Sequence, residues 1–346
     1  MPNWIKNLAL LAVTLGVIVA ADRALYRRLR QPLWESDPVL HYKHRPNAVS
    51  YWGREPDAKK IRIKSLGLYD DEFPVTKPSG ELRGLIIGDS IVMGHRVTSA
   101  ESFANRLEKV LAGSVPGYAS YQVINAGVQG YSTFQYREVL ERSLRFAPDF
   151  VVVCFCMNDV SEPYIVNRKY GGSGQDYHGV YQVSDAWLDW LVNRTGFGNL
   201  AVKIRGQMVR KRAIARYQIY GVKKMARGSR TEPVFIDAWR SALADLSAMY
   251  ERCRAAGIPI ALVICSHRFQ IGEPALQEPQ KILIEHAQSS GIPVLDLTAA
   301  IDSSVARGVA IDELFMDEDH YTVNGHIYVA RALLEFHKVR GVVDPG

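Results

Sequence analysis

The sequence predicts an α/β fold: a three-layer α/β/α sandwich on a doubly wound parallel sheet of about five strands, with an N-terminal transmembrane helix. Three observations predict it. From residue 84 onward, short runs of mostly branched apolar residues alternate with stretches of helical periodicity, as strands covered on both faces by crossover helices require. The 346 residues are 47% apolar and 23% charged, enough for a large core, which excludes a disordered, collagen-like or disulfide-stapled chain. Leu8 to Ala21 is an apolar run interrupted only by Thr14 and Gly16, and it follows Lys6.

The leader, residues 1–30, reads as a membrane anchor with a basic flank. Its apolar run is shorter than the roughly 18 to 20 residues that span a bilayer unless Trp4, Ile5 and the stretch through Tyr26 are recruited, with Arg23 snorkelling. A cleaved signal peptide competes, since Val19-Ala20-Ala21 supplies small residues before a cut; Arg23, Arg27, Arg28 and Arg30 favour an uncleaved anchor. The same arginines pull the flank that carries the body toward the cytoplasm under the positive-inside rule. Residues 31–83 contain Pro32, Pro38, Pro46, Pro56, Pro74 and Pro78 and read as an extended lead-in with one small hairpin around Leu66 to Tyr69.

The third unit is residues 84–346. Strands are expected at Gly84 to Gly88, Gln122 to Asn125, Phe150 to Phe155, Pro259 to Ile264 and Pro293 to Leu297. Helices are expected at Ser102 to Leu111, Thr133 to Phe146, Ile236 to Ala256, Glu273 to Ser289 and Val323 to Val339. The order βαβαβ, insertion, αβαβα implies right-handed crossovers. The insertion, residues 160–235, opens with aromatic residues and glycines (Tyr164, Tyr170, Tyr177, Tyr181, Trp187, Trp190) that form either a lid or stacking platform or the packing of a small subdomain.

Charge is unevenly spread. The net formal charge is +6, but residues 1–30 carry +4 and residues 196–230 hold ten basic residues and no acid, leaving −8 for the rest. An acidic body therefore bears two basic segments. Anionic lipid headgroups, an acidic polysaccharide or plain solvation of a helical face each account for the second segment; nucleic acid is not expected, because no binding motif accompanies the charge. Cys154, Cys156, Cys253 and Cys265 read as buried thiols, the first two lying on one face of a strand where they cannot bridge.

In such a sheet ligands sit beyond the carboxyl ends of the strands, so the residues just after each strand are the ones to inspect. After the first comes Gly88-Asp89-Ser90, a serine at a strand-to-helix turn. Such a hydroxyl faces the sheet edge, beside N–H groups that can hold an oxyanion, although an N-cap serine looks the same. After the second strand comes Asn125-Ala126-Gly127-Val128-Gln129-Gly130-Tyr131-Ser132, and after the third Met157-Asn158-Asp159, with an amide at the same edge. Before the last helix lies Asp317-Glu318-Asp319-His320. An aspartate three residues before a histidine can reach its Nδ1 while Nε2 faces the serine.

These four blocks, GDSI, NAGVQGYS, the Asn-Asp after a strand, and DEDHYTVNGH, make the sequence resemble the SGNH (GDSL-type) hydrolases over roughly residues 82–340, the insertion excepted. The resemblance implies an SGNH/flavodoxin-like sandwich and an acyl-enzyme esterase with Ser90 as nucleophile, His320 as general base and Asp317 as its orienter. It places the oxyanion hole at the Ser90 and Gly130 N–H groups and the Asn158 side chain. Asp89 and Asp159 read as structural hydrogen-bonders. Ile91 stands where leucine is common, and Cys156 replaces a usual glycine. His326 reads as a helix-start residue, His267 as a solvated loop residue or a substrate contact, Glu318 and Asp319 as solvated, and His95 has no role. No metal or organic cofactor is expected.

Family members with an apolar leader followed by an acid-x-x-Leu-Tyr/Arg pattern, here Asp22 to Arg27, resemble anchored enzymes facing outward. The resemblance thus points to an inner-membrane, single-pass esterase with a periplasmic body, removing short acyl groups from a surface or exported polysaccharide. A lipid esterase or thioesterase is the alternative substrate reading, and an accessory docking subunit of a membrane complex the alternative from a different class.

Overall fold

The computed structural model describes residues 2–28, 33–53, 58–160, 191, 194–201, 204 and 222–340. Helix α1 (Asn3–Arg28) is continuous, and its 24-residue Asn3–Tyr26 portion, which contains an 18-residue stretch of mean hydropathy 2.0 with none of it buried, is long and apolar enough to cross a membrane. At 1.5 Å per residue that portion reaches about 36 Å against a hydrocarbon core of about 30 Å. The helix recruits Trp4, Ile5 and the turn to Tyr26, which the bare apolar run lacked.

The lead-in is more structured than its prolines suggest. β1 (Trp34–Asp37) pairs antiparallel with β2 (His41–His44), and β3 (Val49–Trp52) with β4 (Lys59–Arg62). The hairpin expected at Leu66 to Tyr69 is instead a turn, closed by Gly67 N–H to Lys64 O (3.0 Å) and Lys64 N–H to Leu68 O (2.9 Å). Four-residue strands carry too few alternations to be read in advance. Leu40 and Tyr42 enter the main core, while Ile61, Ile63 and Tyr69 close over Met93, so the lead-in is pinned to the domain that follows. Arg142 clasps Asp37 with two hydrogen bonds (2.7 and 3.0 Å).

The main sheet is parallel, with β5 (Glu81–Ile87), β6 (Ser120–Asn125), β7 (Phe150–Phe155), β8 (Ile260–Ile264) and β9 (Val294–Asp296) in the order β6-β5-β7-β8-β9. Side chains alternate across it. Leu85, Ile87, Val151, Val153, Phe155, Leu262 and Ile264 face a layer that includes α4 (Thr133–Ser143) and the helices Pro233–Ala255 and Glu278–Ser289. Leu82, Ile86, Phe150, Val152, Cys154 and Val263 face α3 (Phe103–Ser114) and the helices Leu297–Ala306 and Val323–Arg340. Both faces of β5, β7 and β8 are buried, the reason β7, β8 and residues 85–87 of β5 are continuous apolar runs. The helix Leu297–Ala306 was not anticipated, because its first residue follows β9 directly, capped by Asp296.

Of the insertion, the aromatic part and much of the basic block lie outside the described residues. At the described end of the block, Arg230 pairs with Glu278 and Glu285 of the body, Lys224 with Glu232 of the insertion itself, and Lys223 sits over the Phe269 ring. Near residue 197 the insertion meets α1, where Phe197 N–H donates to Asp22 Oδ1 (2.9 Å).

Candidate active site

The strand order reverses at β5, with β6 on one side and β7 on the other, the point at which open parallel sheets bind ligands beyond their strand ends. Beyond β5, Asp89 caps the four-residue helix α2 (Ser90–Met93) by accepting the Ile91 N–H (2.9 Å). Ser90 is thereby held at the helix start, buried to 7% exposure, with Oγ 2.9 Å from His320 Nε2. On its other edge, His320 Nδ1 lies 2.9 and 3.0 Å from the two oxygens of Asp317, which also accepts the His320 backbone N–H (2.9 Å). The carboxylate holds the hydrogen on Nδ1 and leaves Nε2 to accept from the serine hydroxyl. The 3.4 Å contact of Ser90 Oγ with Asp89 Oδ2 is the longer alternative for that hydrogen.

Electrostatics fit this geometry. Burial alone would push Asp317 up, but the hydrogen bond and charge of His320 outweigh it and hold the carboxyl well below the usual range. Burial pulls His320 down, while the Asp317 hydrogen bond and the charges of Asp319, Asp317 and Asp89 prevail and raise it. The ring is therefore a stronger base than a free imidazole.

The β6 loop is tied to the serine turn by two bonds and braced by one of its own. Asn125 Nδ2 donates to Val92 O (3.0 Å), Gly127 N–H to Asn125 Oδ1 (3.0 Å), and Val128 N–H to Gly88 O (3.2 Å). Gly127 is required for this approach: a Cβ there would stand 2.2 Å from Met93 N. Gly130 follows at φ +74°, a conformation glycine adopts freely. Asn158, after β7, donates from Nδ2 to Asp89 Oδ2 (2.8 Å), and its buried Oδ1 has no partner among the described residues. Ser90, His320 and Asp317 thus form one hydrogen-bonded chain through the imidazole, Asn158 is joined to it through Asp89, and Gly130 stands in the loop tied to the serine turn. Asp159 accepts the Cys156 N–H (2.9 Å) and the Tyr136 hydroxyl (2.7 Å), holding the β7 loop as expected of it.

Three expectations change. Asp319 is not simply solvated: its Oδ1 lies 3.1 Å from His320 Nδ1. Burial and the charges of Asp89 and Asp317 push it up to about 7, against the pull of His320. His267 is fully buried, its Nδ1 3.6 Å from Cys156 Sγ, and burial with the His320 charge pushes it down to about 3. The cysteine in the glycine's place thus packs on a neutral imidazole. His95, to which the sequence assigned nothing, lies against the His320 ring with centroids 4.2 Å apart. Its signal was Gly94, which ends α2 after one turn and folds the chain back over the serine. His326 accepts the Phe103 N–H (3.2 Å), stacks on Phe103 and is pushed down to about 3 by burial, which pins the last helix to α3. Donor atoms of Asp317, Asp319 and His320 lie within 4.8 Å of one another, close enough to hold a cation, but they are the same atoms that orient His320.

Comparison with known proteins bears on what this arrangement does. Residues 86–326 match the sequence profile of the GDSL-like lipase/acylhydrolase family. No curated protein matches the chain. Among solved structures, it is similar to Axe2, an acetylxylan esterase from Geobacillus stearothermophilus, with 16% identity over 74% of this chain and 93% of that one, at a TM-score of 0.44. It is also similar to LAE5, an α/β hydrolase enzyme from the metagenome of Lake Arreo, Spain (15% identity, 74% and 95% covered, TM-score 0.45), and to TesA (14%, 74% and 98%, 0.44). With its profile match spanning the sheet from β5 to the helix that follows His320, the chain belongs to the GDSL-like lipase/acylhydrolase family and is an ester-hydrolysing enzyme.

Proposed function

We propose that this enzyme is a membrane-anchored esterase that removes acetyl or other short acyl groups from a cell-surface or exported polysaccharide. The observation that carries the chemistry is the unbroken chain from Ser90 Oγ through His320 to Asp317. Ser90 passes its proton to His320 Nε2 as Oγ attacks the ester carbonyl carbon. The oxyanion is received by the N–H groups of Ser90 and Gly130 and by the Asn158 amide, whose second hydrogen is not the one given to Asp89. His320 then protonates the departing alkoxide, leaving an acyl-serine, and water activated by the same histidine releases the acid. Asp317 stays ionised throughout and stabilises the imidazolium.

Attachment to a membrane is supported by α1, which is long and apolar enough to cross one, and the outward-facing body by the resemblance of Asp22 to Arg27 to the leaders of anchored enzymes, against the pull of the flanking arginines. The experiment uses the full chain in vesicles. Acetate release from an acetylated polysaccharide, abolished by Ser90→Ala, is the expected result, with kcat lowered by about 10³-fold or more. Fatty-acid release from the vesicle phospholipid in its place would transfer the assignment to lipid. Equal, negligible rates for both proteins would favour a docking role. A reporter joined to the C-terminus should be active on the periplasmic side; cytoplasmic activity would refute the surface location.

A further inference from the structure

His320 is constrained along its edges, by Asp317 and Asp319 at Nδ1 and by Ser90 at Nε2, but edge contacts alone leave an imidazole free to rock, since its outer torsion is soft. What lies against its face is a row of rings. Trp52, the last residue of β3, packs edge-on against His95 (centroids 4.5 Å apart, 62° between planes), and His95 packs on His320 (4.2 Å, 34°). The His95 backbone N–H donates to Ser90 O (3.0 Å), so this ring is fixed to the serine's own turn. From the β6 loop, Gln129 Nε2 donates to His95 Nδ1 (2.9 Å), and an atom that accepts there carries no hydrogen, leaving a neutral ring.

We propose that His95 is a positioning residue for ester hydrolysis. Its neutral ring, braced by Trp52 and Gln129, holds the His320 plane in line with Ser90 and offers its face to the imidazolium that forms when the serine gives up its proton. The inference rests on the Ser90–His320–Asp317 reading and deepens it. Three carboxylates, Asp317, Asp319 and Asp89, already favour the charged form of His320, and His267 behind Cys156 is neutral. A further carboxylate would hold the base protonated at rest. A neutral ring adds a modest stabilisation to the cation and blocks rocking, without adding charge. The contact also explains why the lead-in is pinned down: the β3–β4 pair supplies the brace for a histidine more than 250 residues later in the chain.

The test is a pair of substitutions in the full chain, His95→Leu and His95→Phe, assayed on p-nitrophenyl acetate with kcat, KM and the pH profile of kcat/KM. His95→Leu keeps bulk but no ring face: kcat falls about two- to thirtyfold, the range of a cation on a ring face, while KM holds. The acidic limb of the profile moves to lower pH, because the imidazolium has lost a partner. His95→Phe keeps the face and restores kcat to within about threefold of wild type, allowing for the lost Gln129 bond. Unchanged kcat in His95→Leu, a loss confined to KM, or a His95→Phe as impaired as His95→Leu would each overturn the proposal. Should His95→Leu fail to fold, His95→Gln carries the same comparison. If Ser90→Ala and His320→Ala keep the wild-type rate, the Ser–His–Asp reading itself is refuted; with both inactive, a null result at His95 refutes the positioning role alone.

Discussion

Replacing Gly127 by alanine puts a methyl group where the β6 loop crosses α2. The new Cβ would stand 2.2 Å from Met93 N, 2.7 Å from Val92 C and 2.8 Å from Val92 Cβ. The closest of these falls well over ~1 Å short of ordinary van der Waals contact, and the obstructing atoms are mainly backbone, which cannot swing aside as a side chain can. Either α2 moves, carrying Ser90, or the loop moves, carrying Gly130. In both cases the spacing between nucleophile and loop changes by about 1 Å, and a displacement of that size in a preorganised site costs about 10²-fold in rate. Overpacking of this kind also costs about 1–3 kcal/mol of stability. The assay is kcat/KM on p-nitrophenyl acetate with thermal unfolding of the same samples, at a temperature where both proteins are fully folded. A Gly127→Ala enzyme with wild-type kcat/KM and wild-type Tm would refute the claim that glycine is needed for this approach.

Three further outcomes are expected. Asp319, ionised, raises His320, so Asp319→Asn moves the acidic limb of kcat/KM to lower pH; a shift to higher pH, or none, contradicts the placement. Because the folded-state value of Asp319 is raised, to about 7 from an ordinary 3.8, the stability linked to its proton is full below about pH 4 and lost as pH rises through 7. Asp319→Asn should then gain stability over wild type above pH 7 and not below pH 4, as thermal unfolding at the two pH values would show. Arg83 is fully buried, bonded to Glu81 (2.6 Å) and to the carbonyls of Phe146 (3.0 Å), Pro74 (3.1 Å) and Val75 (3.2 Å). Arg83→Leu strands that carboxylate and should cost about 3–5 kcal/mol in urea unfolding, much of it recovered in the Arg83→Leu, Glu81→Leu double variant.

The central strands could be read in the sequence because β7, β8 and the second half of β5 are continuous apolar runs, and the runs are continuous because helices cover both faces. Their ends then located Ser90, Asn158 and the loop of Gly130, since a parallel sheet collects the residues after its strands at one edge. Asp317 and His320 could be paired from spacing alone, three residues being within reach of one side chain. The two antiparallel pairs of the lead-in could not be read, because β1 to β4 are four residues each and half polar, and their partners on the domain lie far away in sequence.

The sequence by itself determined the fold class, the apolar leader and the order in which candidate groups reach the sheet edge, all consequences of local periodicity and of motifs only a few residues long. The tertiary structure decided what surrounds His320. Residue 52 of β3, residue 95 beyond α2 and Gln129 of the β6 loop meet there only after the sheet has formed. Burial decided the rest, leaving His267 and His326 neutral and Asp319 poised near neutrality. Pattern in sequence reports which face of an element is apolar. The desolvation and ring contacts that tune a base depend on distances between segments more than 200 residues apart, and no local pattern encodes those.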